Sequence, residues 1–339
     1  LLDEFVNDGI GVQVVSKNFR LDPTLPPRLA WIFRQRGVDV VHTHNPPPLV
    51  YAGIAARSMG AALVHTKHGV NHDLGRRIWL RKMAGQLVHG LVAVSEDTAD
   101  HAIRQGEADG GCVQVISNGV DTDLYRPRAE ARRALRSELG LSDETWVVGS
   151  IGRLVPEKNY ASLLRAVAPL IRDGHVRLVL VGDGPEKESL RLLCRQLRIE
   201  DGVMMLGIRQ DGHLLLSAMD AFALSSRTEG LPLALLEAMA SELPVVATRV
   251  GGIPALLEGT DAGFLVPPGD EDALRAEIDR LRRDPEGARQ VGKRARRLVV
   301  RQYGLDVVVE KTNAMYATAL QIARSSMVRR VLRATAVVS

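Results

Sequence analysis

Glu229 and Glu237 are two carboxylates with seven residues between them, in the stretch Ser225-Ser226-Arg227-Thr228-Glu229-Gly230-Leu231-Pro232-Leu233-Ala234-Leu235-Leu236-Glu237-Ala238-Met239-Ala240. Pro232 suits the first turn of a helix and the residues after it are strong helix formers, so a helix is predicted from Pro232 onward. Glu237 is the one charge between Gly230 and Ser241. A carboxylate on so apolar a helix needs hydrogen-bond donors or a shifted pKa. Glu229 falls in the turn before the helix, where Gly230 permits a close backbone approach and the free N–H groups of a helix start favour an anion. Two acceptor carboxylates around a phosphate-binding helix end suit a sugar nucleotide. The competing reading is a surface loop with one exposed glutamate, and it leaves the apolar surroundings of Glu237 unexplained.

A second set of reactive side chains lies in Gly152-Arg153-Leu154-Val155-Pro156-Glu157-Lys158-Asn159. Arg153 offers a planar fork to phosphate oxygens and Lys158 a point charge. Two charge-assisted bonds of about 1.5–3 kcal/mol each would hold a diphosphate and stabilise its charge as it leaves; a solvated basic loop is the plain alternative. Gly182-Asp183-Gly184-Pro185 begins like a dinucleotide fingerprint, but Glu188 and the missing third glycine leave only a tight strand-to-helix turn. His42, His44, His65 and His68 fall at the ends of two strands expected to be neighbours, with spacings that zinc accepts. No carboxylate or cysteine stands at matching spacing, so hydrogen bonding along a cleft is preferred and a metal hydrolase ranks last. Asp121-Thr122-Asp123 sits beside Asn118-Gly119 and reads as turn chemistry rather than a metal motif.

The elements that must position these residues alternate in type. Strands are predicted at Val12–Val15, Val38–Val41, Ala62–Val64, Leu91–Val94 and Val113–Ile116, with a helix from Pro26 to Arg36 that buries Leu29, Trp31 and Ile32. Further helices are expected at Leu49–Met59 and Glu96–Arg104, and one decorated by Arg76, Arg77, Arg81 and Lys82. Short Val/Leu-rich strands alternating with amphipathic helices imply a parallel α/β sheet. The pattern breaks over 118–143, read as an interdomain connection. It resumes with strands at Trp146–Ile151, Arg177–Val181, Val203–Leu206, Ala221–Leu224, Val245–Thr248 and Gly263–Val266. Helices are expected at Tyr160–Arg172, Pro185–Leu197, Ile253–Leu257 and Glu271–Arg283, then from Gly287 to Arg324 with a break near Tyr303-Gly304. Residues 1–117 therefore form one domain, 144–303 a second, 304–324 a final helix and 325–339 a basic tail. At 339 residues two cores are expected. Hydrophobic content of 45% with 25% charge is that of a globular chain, while 4% aromatics and a net charge of +4 argue against a nucleic-acid partner. Cys112 and Cys194 lack ligand spacing and read as buried thiols in a reducing compartment.

These motifs together resemble family 4 of the retaining glycosyltransferases. The resemblance rests on the two glutamates, the Gly-Arg-x4-Lys-Asn loop, Val181-Gly182-Asp183-Gly184-Pro185, Ile116-Ser117-Asn118-Gly119-Val120-Asp121 with Pro127, Pro244–Thr248 before Gly251-Gly252-Ile253-Pro254, and Gly263–Pro267. It implies the GT-B architecture: α/β, two Rossmann-like parallel-sheet domains facing a cleft, with the last helix crossing back to the first domain. It also implies roles. Arg153 and Lys158 would hold the donor diphosphate, Glu237 the ribose hydroxyls and Glu229 the transferred sugar. Gly230 and Leu231 would present backbone N–H groups to phosphate, Gly207, Ile208 and Arg209 would lie near the base, and His68 would be the cleft histidine near the sugar. The implied reaction is retaining transfer from a UDP- or GDP-sugar to a glycan or glycolipid acceptor in surface polysaccharide synthesis. It needs no cofactor and no metal, and the cytoplasm is its expected place. Separately, the basic helix with Arg76, Arg77, Arg81 and Lys82 is read as able to rest on an anionic membrane surface at the inner face, with a solvated helix face as the plain alternative. The family's first strand ends in a Gly-rich loop that this sequence lacks before Val12, so Leu1–Phe5 reads as material after a missing first β-α unit. Two rivals follow: a truncated, non-catalytic nucleotide-binding remnant, and a glycoside hydrolase using Glu229 and Glu237.

Overall fold

The computed structural model describes residues 5, 9–19, 21–69 and 76–336. Leu1–Glu4, from which a missing β-α unit was inferred, and residues 337–339 of the basic tail lie outside them. Two parallel sheets organise the chain. The first has the order β1-β2-β3-β4, comprising β1 (Val40–His44), β2 (Ala62–Lys67), β3 (Gly90–Ala93) and β4 (Val113–Val115). Every residue of β2 is buried, as expected of a strand covered on both faces. β1 and β2 run in register with His42 opposite Val64, Thr43 opposite His65 and His44 opposite Thr66, which gathers the histidines at one sheet end.

The second sheet has the order β10-β9-β8-β5-β6-β7. Its strands are β5 (Trp146–Ile151), β6 (Val176–Val181), β7 (Val203–Met205), β8 (Ala221–Leu224), β9 (Val245–Thr248) and β10 (Phe264–Val266). β5, β8 and β9 are buried on both faces over most of their length, so they read in the sequence as continuous apolar runs rather than alternating ones. The order reverses between β5 and β8, and in an open sheet of this kind that switch point is where a ligand crevice opens.

The two segments that join the sheets bind each other: Val120 N–H donates to the Tyr303 carbonyl at 2.9 Å, and Leu305 N–H to the Val120 carbonyl at 3.2 Å. Beyond them the helix Leu305–Ala336 runs without a break through the stretch read as a separate tail. Met315, Ala319 and Ala323, four residues apart on one helical face, pack on Ala62, Val64, Val92 and Ile116 of the first sheet.

Three expectations from the sequence fail. Val12–Val15 forms no strand: among the described residues its backbone pairs with no neighbouring strand. The helix Leu25–Gln35 leaves Trp31 64% exposed, while Leu29 and Ile32 are half-buried and Phe33 packs on the first-domain core. Cys194 is buried but Cys112 is half-exposed.

A charged knot anchors the interdomain connection. Arg136, 1% exposed, donates to the carbonyls of Ala218 at 2.9 Å and Ser142 at 2.8 Å, and pairs with Asp220 at 3.3 Å. Arg132 reaches the other Asp220 oxygen at 2.6 Å, and Val147 N–H donates to the carboxylate at 2.8 Å. Removing one partner of a buried pair strands the other charge. Asp220→Ala is expected to lower the unfolding free energy by about 3–5 kcal/mol, and Arg132→Ala, whose side chain is more exposed, by about 1 kcal/mol. Urea denaturation of the three proteins distinguishes these outcomes; equal losses would refute the burial argument.

Candidate active site

The loops that follow β5 and β8 meet at the switch point. Arg227 N–H donates to the Glu157 carbonyl at 2.8 Å and Ser225 Oγ to the Asn159 carbonyl at 2.9 Å, tying one loop to the other. Thr248 Oγ1 at the end of β9 donates to the Ser226 carbonyl at 2.7 Å. Within this frame Lys158 Nζ donates to Glu229 Oε1 at 2.6 Å, and Ser226 Oγ donates to the same oxygen at 2.6 Å. Glu229 is therefore held as an acceptor, its position set by a buried hydroxyl. Arg153 is exposed and, among the described residues, pairs with no carboxylate.

The neighbouring turns pack backbone to backbone. Gly182, at φ +134°, donates its N–H to the Gly207 carbonyl at 2.7 Å, and a Cβ there would stand 2.0 Å from the Gly152 carbonyl oxygen. Ile208 is exposed beyond it. Arg209 turns its side chain away to Asp211, at 2.8 and 2.7 Å, and to Glu138 at 3.1 Å, so its guanidinium is already occupied.

Glu237 lies half-buried on the helix Leu233–Ala240. Burial raises its pKa, and a hydrogen bond with the Tyr125 side chain opposes that rise. Burial and the nearby Glu237 carboxylate push the Tyr125 hydroxyl up, keeping it a protonated donor.

The first sheet faces this site directly. A Cβ at Gly230 would stand 2.3 Å from the His68 carbonyl oxygen, so the Glu229-Gly230-Leu231 turn abuts the end of β2 at a distance only glycine allows. Asn118 Nδ2 donates to the Leu231 carbonyl at 2.7 Å from the connection side. His68 is exposed, and its Nε2 lies 2.9 Å from His44 Nδ1 with the rings stacked. His44 stacks in turn on His42, which bonds Thr66 Oγ1 and the Tyr316 hydroxyl, each at 2.7 Å. His65 Nδ1 lies 3.0 Å from the Thr43 carbonyl, which only accepts, so that nitrogen carries the proton. Among the described residues no group of three or more histidine, cysteine or carboxylate side chains has the geometry to hold a metal ion. Asp121 Oδ1 accepts the N–H groups of Asp123 and Leu124 at 2.9 and 2.8 Å, a turn contact.

Beside His68 a cavity of about 190 Å³ is lined by Asn45, Thr66, Lys67 and Arg81 among others. Arg81 is a correction to the sequence reading: it is 5% exposed and its Nε donates to buried Glu107 at 3.0 Å, with Lys67 on the other carboxylate oxygen. A guanidinium paired inside the domain does not reach a membrane. Lys82, the next residue, is exposed, while the side chains of Arg76 and Arg77 lie outside the described residues.

Sequence reasoning missed Ser226, Tyr125, Asn118 and Tyr316. Ser226 had a signal, since it stands directly after a buried strand and three residues before Glu229. The other three reach the site from distant segments, and spacing carries no trace of such contacts.

Two parallel-sheet domains meeting at such a crevice define the GT-B class of glycosyltransferases. Anabaena HepE in complex with UDP matches the fold with a TM-score of 0.84 at 25% identity, over 94% of this chain and 89% of that one. Residues 3–124 match Glycosyltransferase Family 4 and residues 131–298 match Glycosyl transferases group 1. The D-inositol 3-phosphate glycosyltransferase of Saccharomonospora viridis is 32% identical over 319 residues, 88% of this chain and 71% of the relative. The UDP-Gal:alpha-D-GlcNAc-diphosphoundecaprenol alpha-1,3-galactosyltransferase of Escherichia coli is 28% identical over 297 residues, 84% of this chain and 76% of the relative. The chain belongs to glycosyltransferase family 4, and it is a transferase.

The histidines give the fold a pH dependence of definite sign. Burial holds His65 down to about 3 and, with His44 and His68 nearby, His42 down to about 4. The unfolded chain binds these protons near pH 6.5, so the stabilisation is complete above that value and is lost as pH falls from about 6.5 toward 4. His65→Gln should shrink the difference in urea midpoint between pH 7 and pH 5. An unchanged difference would show that His65 is not a source of it.

Proposed function

We propose that the enzyme is a retaining glycosyltransferase that takes a UDP- or GDP-sugar and passes the sugar to a glycan or lipid-linked acceptor in surface polysaccharide synthesis. One observation carries this reading: the loops after β5 and β8 bring Lys158 and Glu229 into contact at the switch point, with Arg153 open beside them and His68 across the Gly230 turn. A diphosphate entering the crevice would draw Lys158 from Glu229 and meet the unpaired Arg153. Glu229, freed from the lysine but still held by Ser226, would then accept from sugar hydroxyls and oppose positive charge at the anomeric carbon. Glu237 would take the ribose hydroxyls. The leaving diphosphate oxygen would help remove the acceptor proton, with Arg153 and Lys158 stabilising its charge and His68 lining the sugar side. The UDP complex of Anabaena HepE supports a uridine donor. The Escherichia coli relative, named for a diphosphoundecaprenol acceptor, supports a lipid-linked one. A glycoside hydrolase would leave Lys158 and Arg153 without a task.

No metal is required, since arginine and lysine meet the phosphate charge. Both cysteines are free thiols, in keeping with a cytoplasmic site of action. We propose peripheral contact with an anionic inner membrane face through the helix Arg76–Gly85; in support, Trp79 is 61% exposed and Met83 49%, with exposed Lys82 on the same helix. An exposed tryptophan next to a cation is the composition of an interfacial helix. Among the described residues no helix is long and apolar enough to cross a membrane.

Thermal-shift titration with UDP, GDP and ADP should show stabilisation by at least one, unaffected by EDTA. Lys158→Ala should abolish most of that shift. Glu229→Gln should depress transfer by about 10²-fold while UDP affinity stays near its original value. Loss of binding on chelation, or an equal loss of affinity in both variants, would contradict the assignment. Co-sedimentation with anionic phospholipid vesicles should fall in the double variant Trp79→Ala, Lys82→Glu; an unchanged bound fraction would remove the membrane contact from this helix.

A further inference from the structure

His42, His44 and His68 form a column of rings that ends at the crevice. In a strand successive side chains alternate between faces. Val40, His42 and His44 of β1 therefore share a face with Ala62, Val64 and Thr66 of β2, which stand opposite them in register. His68 follows two residues beyond Thr66, with its ring against His44. The helix Leu305–Ala336 covers the same face, where Met315, Ala319 and Tyr316 pack with Val40, Ala62 and Val64. Thr43 and His65 meet on the other face, with Thr43 Oγ1 2.9 Å from His65 Nδ1, and Lys67 turns from that side to Glu107. The foot of the column is tied down. His42 Nδ1 lies 2.7 Å from the Tyr316 hydroxyl, and its Nε2 2.7 Å from Thr66 Oγ1. Hydroxyls donate or accept by rotation, so both contacts hold in either tautomer of the ring. His44 lies over His42 with centroids 4.4 Å apart and planes 30° from parallel, and His68 follows at 5.2 Å and 24°.

His44 Nδ1 and His68 Nε2 are 2.9 Å apart. Two ring nitrogens at that distance hold one proton between them, because two N–H groups would collide and two lone pairs would repel. Burial holds both rings toward the neutral form, and the His44 ring adds to that effect on His68. The Nδ1 of His68 bonds no described residue, so it is the ring nitrogen left for a ligand. An exposed histidine without a partner samples several rotamers and both neutral tautomers, and removing such freedom in advance strengthens binding. We propose that His44 is a positioning residue: it fixes the ring of His68, and the proton that ring carries, so that Nδ1 meets the transferred sugar. The inference rests on the nucleotide-sugar reading above, which puts His68 on the sugar side, and extends it to His44 with His42 and Tyr316 behind it. The last helix thereby acts on the crevice through Tyr316 and the stacked rings.

The test uses the full chain at neutral pH, with nitrogen NMR of isotope-labelled histidine rings and calorimetry on two probe pairs, UDP with UDP-glucose and GDP with GDP-mannose. His68, assigned from the spectrum of His68→Gln, should show a single tautomer in the unaltered enzyme. His44→Phe keeps a ring in the stack but offers no nitrogen, so His68 should then show mixed tautomers. The His65 signal, from the other face, should stay in place and report an intact sheet. In calorimetry His44→Phe should weaken the nucleotide sugar of the pair that binds by about fivefold, the value of one hydrogen bond. The matching nucleoside diphosphate should be unaffected. His44→Asn keeps a polar atom where Nδ1 stood and should recover most of that loss. Mixed tautomers for His68 in the unaltered enzyme, or undiminished nucleotide-sugar affinity in His44→Phe, would overturn the proposal. Equal weakening of sugar nucleotide and diphosphate, equal losses in the Phe and Asn variants, or a displaced His65 signal would show a merely structural role and overturn it too. Failure of the unaltered enzyme to bind any of these probes would instead overturn the donor reading itself.

Discussion

The closeness of the Gly230 backbone to the His68 carbonyl is the constraint on which the site depends. It sets the distance between the two sheets at the crevice, and a single methyl group there would force them apart. Gly252 N–H donates to the Gly230 carbonyl at 2.6 Å from the other side, so the turn is clamped within its own domain while it touches the other. The histidines of the first sheet and the carboxylates of the second domain therefore face one another across one turn of backbone. A glycosyl transfer that must exclude water gains from such an arrangement, because electrostatic interactions strengthen when solvent is removed.

Charge at the crevice is paired within the second domain. Lys158 and Ser226 both donate to one oxygen of Glu229, a cation and a buried hydroxyl holding the same carboxylate. Glu237, in apolar surroundings, has its pKa raised by burial, with the neutral Tyr125 side chain rather than a cation opposing the rise. On the opposite face the histidines are held neutral by burial and by each other.

Two buried charged clusters serve a different end. Lys67 and Arg81 on Glu107 line the cavity beside His68, and Arg132 and Arg136 on Asp220 fasten the interdomain helix Ala129–Glu138 to the second sheet. Such clusters are costly to desolvate and contribute little net stability, but they make misplacement expensive. Both lie where the relative position of loops matters to the crevice.

The sequence by itself determined the fold class, the strand runs of the second domain and the family. Continuous apolar runs, glycines at strand ends and the separated glutamates are local signals, and local signals follow the period of the backbone. The edges of the first domain were less legible. Val12–Val15 has strand composition but, among the described residues, no partner strand, and Trp31 has the composition of a core residue yet is 64% exposed beside Val14 and Val15. Arg81 carries the same lesson in reverse, since a cation among cations reads as solvated until Glu107 is found beside it. Tertiary structure alone decided the contacts of Tyr125 with Glu237, Asn118 with Leu231 and Tyr316 with His42. Each joins segments from different parts of the chain, where no periodicity links the partners and only tertiary packing brings donor to acceptor.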